Sequence, residues 1–88
     1  MSDWPKYESH KIVRAARIIG FDMSSTGEAR RACATVDPGT GYYPEAFNPT
    51  HDVMLEEAKI GDWAIIYSDG FKSISPAKAF EDGYTPCP

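Results

Sequence analysis

The chain is poor in sulfur and imidazole and has no surplus of positive charge. Its 88 residues hold two cysteines, Cys33 and Cys87, and two histidines, His10 and His51. Two cysteines cannot build a disulfide framework. Cys33, between Ala32 and Ala34, reads as a buried free thiol, and Cys87, between prolines, as an exposed one. Nine Lys and Arg face thirteen Asp and Glu, for a formal charge of −4. That excludes broad nucleic-acid binding, which needs a basic surface, and leaves basic protein faces as partners. No apolar run approaches the roughly 20 residues that span a bilayer, so no membrane partner is expected. Asp3-Trp4-Pro5-Lys6 lacks the apolar core of a secretory signal, so the expected location is the cytoplasm.

Chemical motifs are equally thin. One helical turn beyond His51 stands Leu55, and Asp52, Glu56 and Glu57 do not complete a tight ligand set with that histidine. No metal and no cofactor are therefore expected. Ser75-Pro76-Ala77-Lys78 matches the Ser-x-x-Lys nucleophile pattern, but its Ser-Asp-Asn and Lys-Thr-Gly companions are missing. Asp37-Pro38-Gly39-Thr40-Gly41 is followed by no Lys-Ser or Lys-Thr, so it is not a phosphate-binding loop. A Cys33–histidine nucleophile pair has no supporting signature. The chain is read as a non-enzyme.

What the chain does have is local punctuation. Asp62 to Tyr67 is rich in β-branched and aromatic residues and reads as a strand. Asp69-Gly70 then signals a hairpin turn, and Phe71 to Ile74 a return strand. Ser75 as N-cap and Pro76 at the first helical position open a helix over about 76–82, which Gly83 closes in the left-handed conformation. Upstream, His10 to Met23 alternates as a long strand that bends at Gly20 and changes partners. A helix over Ile12 to Ile19 is the competing assignment, since Ala15, Ala16 and the arginines favour it. Ser24 to Gly27 turns the chain into a strand from Glu28 to Val36. Pro44 and Pro49 predict irregular backbone over 42–49, with Tyr42, Tyr43 and Phe47 folded over the core. Thr50 is expected to cap a helix over His51 to Ala58, with Val53, Met54 and Ala58 inward. Residues 1–9 read as a polar lead-in on which Trp4 or Tyr7 packs, and 84–88 as a Pro-rich tail. The expected fold is one small α+β domain over 1–88. Its antiparallel sheet consists of two hairpins, about 10–36 and 62–74, with one or two short helices on one face or end. At this size dimerisation is allowed without being required.

Charge and aromatics define the candidate surface. Residues 1–31 carry Lys6, Lys11, Arg14, Arg17, Arg30 and Arg31 against four acids, whereas 32–88 carry three bases against nine acids. The two halves either lie together and neutralise one another or leave a basic groove for an anion. Trp63, Ile65 and Tyr67 share one strand face, and Ala64 and Ile66 the other. The aromatics either pack the core or, beside Arg14, Arg17 or Lys72, hold a base and phosphate. The candidate binding set is Tyr7, Arg14, Arg17, Tyr42, Tyr43, Trp63, Phe71 and Lys72.

Gly61-Asp62-Trp63, Asp69-Gly70-Phe71, Ser73, Ser75-Pro76, Phe80 and Gly83-Tyr84, together with Tyr7-x-Ser9-His10-Lys11-x-Val13-x-Ala15, form a pattern of their own. It resembles small proteins of tailed bacteriophages and prophages, most of unassigned function, and in part a family of nucleotide sponges that counter Thoeris defence. Ile74 stands where that pattern has an aromatic, the chain ends Thr85-Pro86-Cys87-Pro88 where a basic residue is common, and residues 22–58 are outside the resemblance. The resemblance implies a non-catalytic accessory protein of the bacterial host's cytoplasm that acts by binding. Its partner would be a host defence protein, or a small cyclic nucleotide or ADP-ribose-derived signal held at a homodimer interface. A minor structural role in the phage is the remaining alternative.

Overall fold

The computed structural model describes residues 4–8, 12–23 and 30–86. The elements in chain order are β1 (Lys6–Glu8), β2 (Ile12–Met23), β3 (Arg31–Asp37), β4 (Glu45–Phe47), α1 (Val53–Glu57), β5 (Trp63–Ile66), β6 (Lys72–Ser75), α2 (Ala77–Gly83) and β7 (Thr85–Pro86). The fold is α+β, an antiparallel sheet with two short helices, as expected. Ile12 to Ile19 is strand, which decides against the helical alternative.

β2 is the axis. Its 12 residues span about 40 Å at ~3.3 Å per residue, close to the molecule's 43 Å long dimension. Arg14 pairs with both Lys6 and Ile66, so β1 and β5 flank β2 on opposite edges. Arg17 pairs with both Asp37 and Trp63, so β3 also lies opposite β5. β1 and β3 therefore follow one another along the same edge of β2. The register shifts between Ile18 and Gly20, where a bulge inserts Ile19. Without that extra residue Phe21 would share a face with Val13 and Ala15. With it, Phe21 packs on the core that holds Ile18.

Both sheet faces are covered. One carries Trp4, Ala16, Ile18, Ala34, Val36, Phe47 and Ala64, closed by Leu55 and Ala58 of the α1 region. The other carries Val13, Ala15 and Ile65 under Phe80 of α2, with Tyr7, Trp63, Tyr67 and Tyr84 around them. The helices thus pack on opposite faces, because Ala15/Ala16 and Ala64/Ile65 each send one apolar side chain to each side. Placing both helices on one face is corrected accordingly.

Other local expectations change for tertiary reasons. The lead-in includes a strand, and Trp4 and Tyr7 both pack, one on each core. Thr85 and Pro86 are not a loose tail but pair with Glu8 and Tyr7. Glu45–Phe47 forms an edge strand between the prolines of 42–49; Phe47 is buried, while Tyr43 is 89% exposed. Thr50 does not cap α1: it pairs with the β6 edge, its N–H donating to the Lys72 carbonyl and its Oγ1 accepting from the Lys72 N–H. Around α1, Ala58 is buried as expected and Met54 half-buried, but Leu55 is the buried residue within the helix and Val53 is exposed. Cys33 is half-buried and its thiol points at Asp22 Oδ2, 3.5 Å away. The Ser24–Gly27 turn, His10 and Cys87 lie outside the described residues.

The β5–β6 hairpin follows its turn chemistry. Gly70 sits at φ +90° and donates to the Tyr67 carbonyl, and Asp69 Oδ1 accepts from the Phe71 N–H. The start of α2 does not follow its own. Pro76 is the N-cap residue, and Ser75 Oγ reaches only the Pro76 carbonyl, at 3.3 Å. The Ala77 N–H donates instead to Asp62 Oδ1 at 3.1 Å, and Asp62 Oδ2 accepts from the Lys59 N–H at 2.9 Å. Gly83 is helical and does not adopt a positive φ.

Candidate functional site

Alternation along β5 puts Trp63, Ile65 and Tyr67 under α2, and the ring contacts follow. Trp63 stacks on Phe80 at 4.6 Å, and Phe80 on Tyr84 at 4.7 Å. Tyr7 meets Trp63 and Phe80 edge-on at 5.3 and 5.1 Å. Arg17, beside Trp63 in register, lays its guanidinium 4.8 Å from the indole centre. Glu81 accepts from both, from Arg17 Nη2 at 2.5 Å and from the indole N–H at 3.1 Å. The Arg17–Glu81 pair is half exposed and is worth about 0–1 kcal/mol. Its main effect is positional: Trp63 is held between Phe80 and Arg17, and its stacking surface is already used. Burial raises the Tyr7 hydroxyl above its ordinary pKa of 10.0, against the opposing pull of Arg17.

The ring series continues outward. Burial, the neighbouring Tyr84 and a hydrogen bond between the two hydroxyls raise Tyr67 above 10.0. Tyr67 lies 6.0 Å from Phe71, and Phe71 meets the exposed His51 edge-on at 5.6 Å. Here the sheet end is open. A cavity of about 490 Å³ is lined by Ile12, Tyr67, Ser68, Asp69 and Phe71. A second, of about 210 Å³, shares Ile12, Tyr67 and Ser68 and extends to Lys6, Arg14 and Ile66. The two make one groove around Ile12, aromatic at one end and cationic at the other.

The structure brings Tyr7, Arg17 and Trp63 of the candidate set together, but under α2. Phe71 lines the groove, and Lys72 is exposed beside it on the hairpin. Arg14 lies on the opposite face from Arg17, where its Nη1 donates to the Trp4 carbonyl at 2.8 Å. Tyr42 and Tyr43 are exposed on the 38–44 loop, apart from the groove. Sequence reasoning missed Ile12, Lys6 and Asp69 as groove residues and Glu81 as the tie between Arg17 and Trp63. The alternation of β1 and β2 could have paired Lys6 with Arg14. Nothing local could have placed Glu81, which is 64 residues from Arg17. Among the described residues, no cluster of His, Cys, Asp and Glu could hold a metal, and no helix is long and apolar enough to cross a membrane.

The class defined by these elements is an α+β sheet protein with an open, aromatic-walled groove. No protein-family model, curated protein or solved structure matches the chain.

Proposed function

We propose that this is a non-catalytic accessory protein of phage or prophage type that binds and inhibits a host defence protein. The observation that supports the reading is the Ile12 groove. Tyr67, Phe71 and a half-exposed Ile12 offer rigid apolar contact area, the kind that dominates protein interfaces. Affinity capture from bacterial lysate, run in parallel with wild type and Ile12→Asp, tests it. A stoichiometric partner retained by wild type and lost by the variant is the expected result. Equal capture by both, or no partner at all, refutes it.

A second reading is a sponge for a cyclic nucleotide or ADP-ribose-derived signal. The rings of Tyr67 and Phe71 near Lys6 and Arg14 favour it, with a second copy closing the open groove into a dimer-interface site. A ligand at about 100 times its Kd stabilises by about 2.7 kcal/mol. For a domain of this size that raises Tm by about 10–20 °C. A panel of cyclic di- and trinucleotides and cyclic ADP-ribose isomers that leaves Tm unchanged removes this reading.

A further inference from the structure

We propose that the Ile12 groove is a docking channel for an extended acidic segment of a partner protein, with an aromatic anchor at one end and carboxylates at the other. This rests on the protein-binding reading and deepens it. Lys6 and Arg14 are register partners across β1 and β2, so their side chains rise from the same face. Both border the groove, where Ile12 and Ile66 are the apolar floor. Arg14 gives one N–H contact to the Trp4 carbonyl and keeps further donors on its five-donor guanidinium. At the other end Tyr67 and Phe71 form an aromatic wall, beside Asp69, whose Oδ1 accepts from the Phe71 N–H.

Shape decides between a peptide and a small molecule. Small-ligand sites bury about 70–90% of the ligand. Ile12, at the centre of this groove, is 52% exposed, so one protomer covers only one side of whatever lies there. An extended chain segment tolerates that, because its other side belongs to its own protein. Charge selects the segment's sign. The chain as a whole is −4 and Asp69 lines the aromatic end, yet the two charges at the other end, Lys6 and Arg14, are both positive, so the carboxylates of an acidic segment are attracted to that end. Glu8 stands opposite Ile12 in register but does not line either cavity.

The test uses the full chain and two capped peptides, acetyl-Glu-Glu-Gly-Trp-amide and its Lys-Lys counterpart, with adenosine monophosphate as the third probe. Amide shifts in a 15N-labelled sample read the site. The acidic peptide is expected to move Ile12, Tyr67 and Phe71, with an affinity that falls as salt rises. Lys6→Glu, at an exposed position, should weaken the acidic peptide about tenfold and strengthen the basic one. Ile12→Ser should weaken the acidic and basic peptides alike. No shift of these three amides by either peptide up to about 1 mM overturns the proposal. So does tighter binding of adenosine monophosphate than of the peptide in the same groove. If the peptides fail while a host partner is still captured, only the groove assignment falls; if both fail, the protein-binding reading falls with it.

Discussion

Replacing Asp62 with alanine should cost this protein far more than replacing Ser75, although Ser75-Pro76 looks like the cap of α2. Asp62 stands between two segments. One carboxylate oxygen accepts from the first N–H of α2, 3.1 Å away, and the other from the Lys59 N–H at 2.9 Å, closing the turn that leads into β5. Loss of a helix-terminal acceptor costs about 1 kcal/mol. The turn bond, to a backbone N–H near the surface, adds about 1 kcal/mol. The sum of about 2 kcal/mol lowers Tm by roughly 8–16 °C at about 4–8 °C per kcal/mol for a domain of this size. Ser75→Ala removes only a hydroxyl contact to the neighbouring Pro76 carbonyl and should stay within about 0.5 kcal/mol. Asp62→Asn keeps one acceptor oxygen and should fall between the two. Urea unfolding followed by circular dichroism reads all three, with an unchanged m-value showing that the comparison is of stability. If Ser75→Ala proves the more damaging, the assignment of the α2 acceptor to Asp62 is wrong.

Arg31 should behave as a clamp on α1. Its guanidinium donates to the Leu55 and Ala58 carbonyls and lies 3.8 Å over the Phe21 ring, so Arg31→Ala should cost about 2 kcal/mol and Arg31→Lys should recover less than half of it, measured by urea midpoint. Phe80, 1% exposed and stacked on Trp63 and Tyr84, should cost about 3–5 kcal/mol as alanine. The milder Phe80→Leu should keep the fold but flatten the near-ultraviolet circular dichroism of Trp63; an unchanged spectrum would contradict the stacking. Tyr7 and Tyr67 both have folded pKa values raised above 10.0, so the stability they contribute is fully present below that pH and is lost as pH rises through the folded values. Urea midpoints at about pH 9 and about pH 11 should therefore differ, and Tyr67→Phe should reduce the difference. An undiminished difference in that variant would assign the alkaline loss to other groups.

Where structure depends on neighbours in the chain, the residues were enough. Asp69-Gly70 dictates its turn because Gly70 must take a positive φ and Asp69 can bond the Phe71 N–H, both within three residues. Alternation marked β5 and the long β2, and Gly20 announced the bend. What residues far apart do to one another was not legible. The cap of α2 passed from Ser75 to Asp62 because β5 carries that carboxylate to the helix start. Trp63 and Arg17 had the chemistry of an open stacking site, but Phe80 and Glu81 of α2 occupy both. The groove was also hidden. Ile12 is an ordinary strand residue until the β5–β6 tip sets Tyr67 and Phe71 beside it and β1 brings up Lys6. Amino-acid type and short spacing determined the element types and the turn, since those energies are local. Which helix covers which face, and which aromatics remain open to a partner, was decided only by packing, because β2 must bury Ala15 on one side and Ala16 on the other.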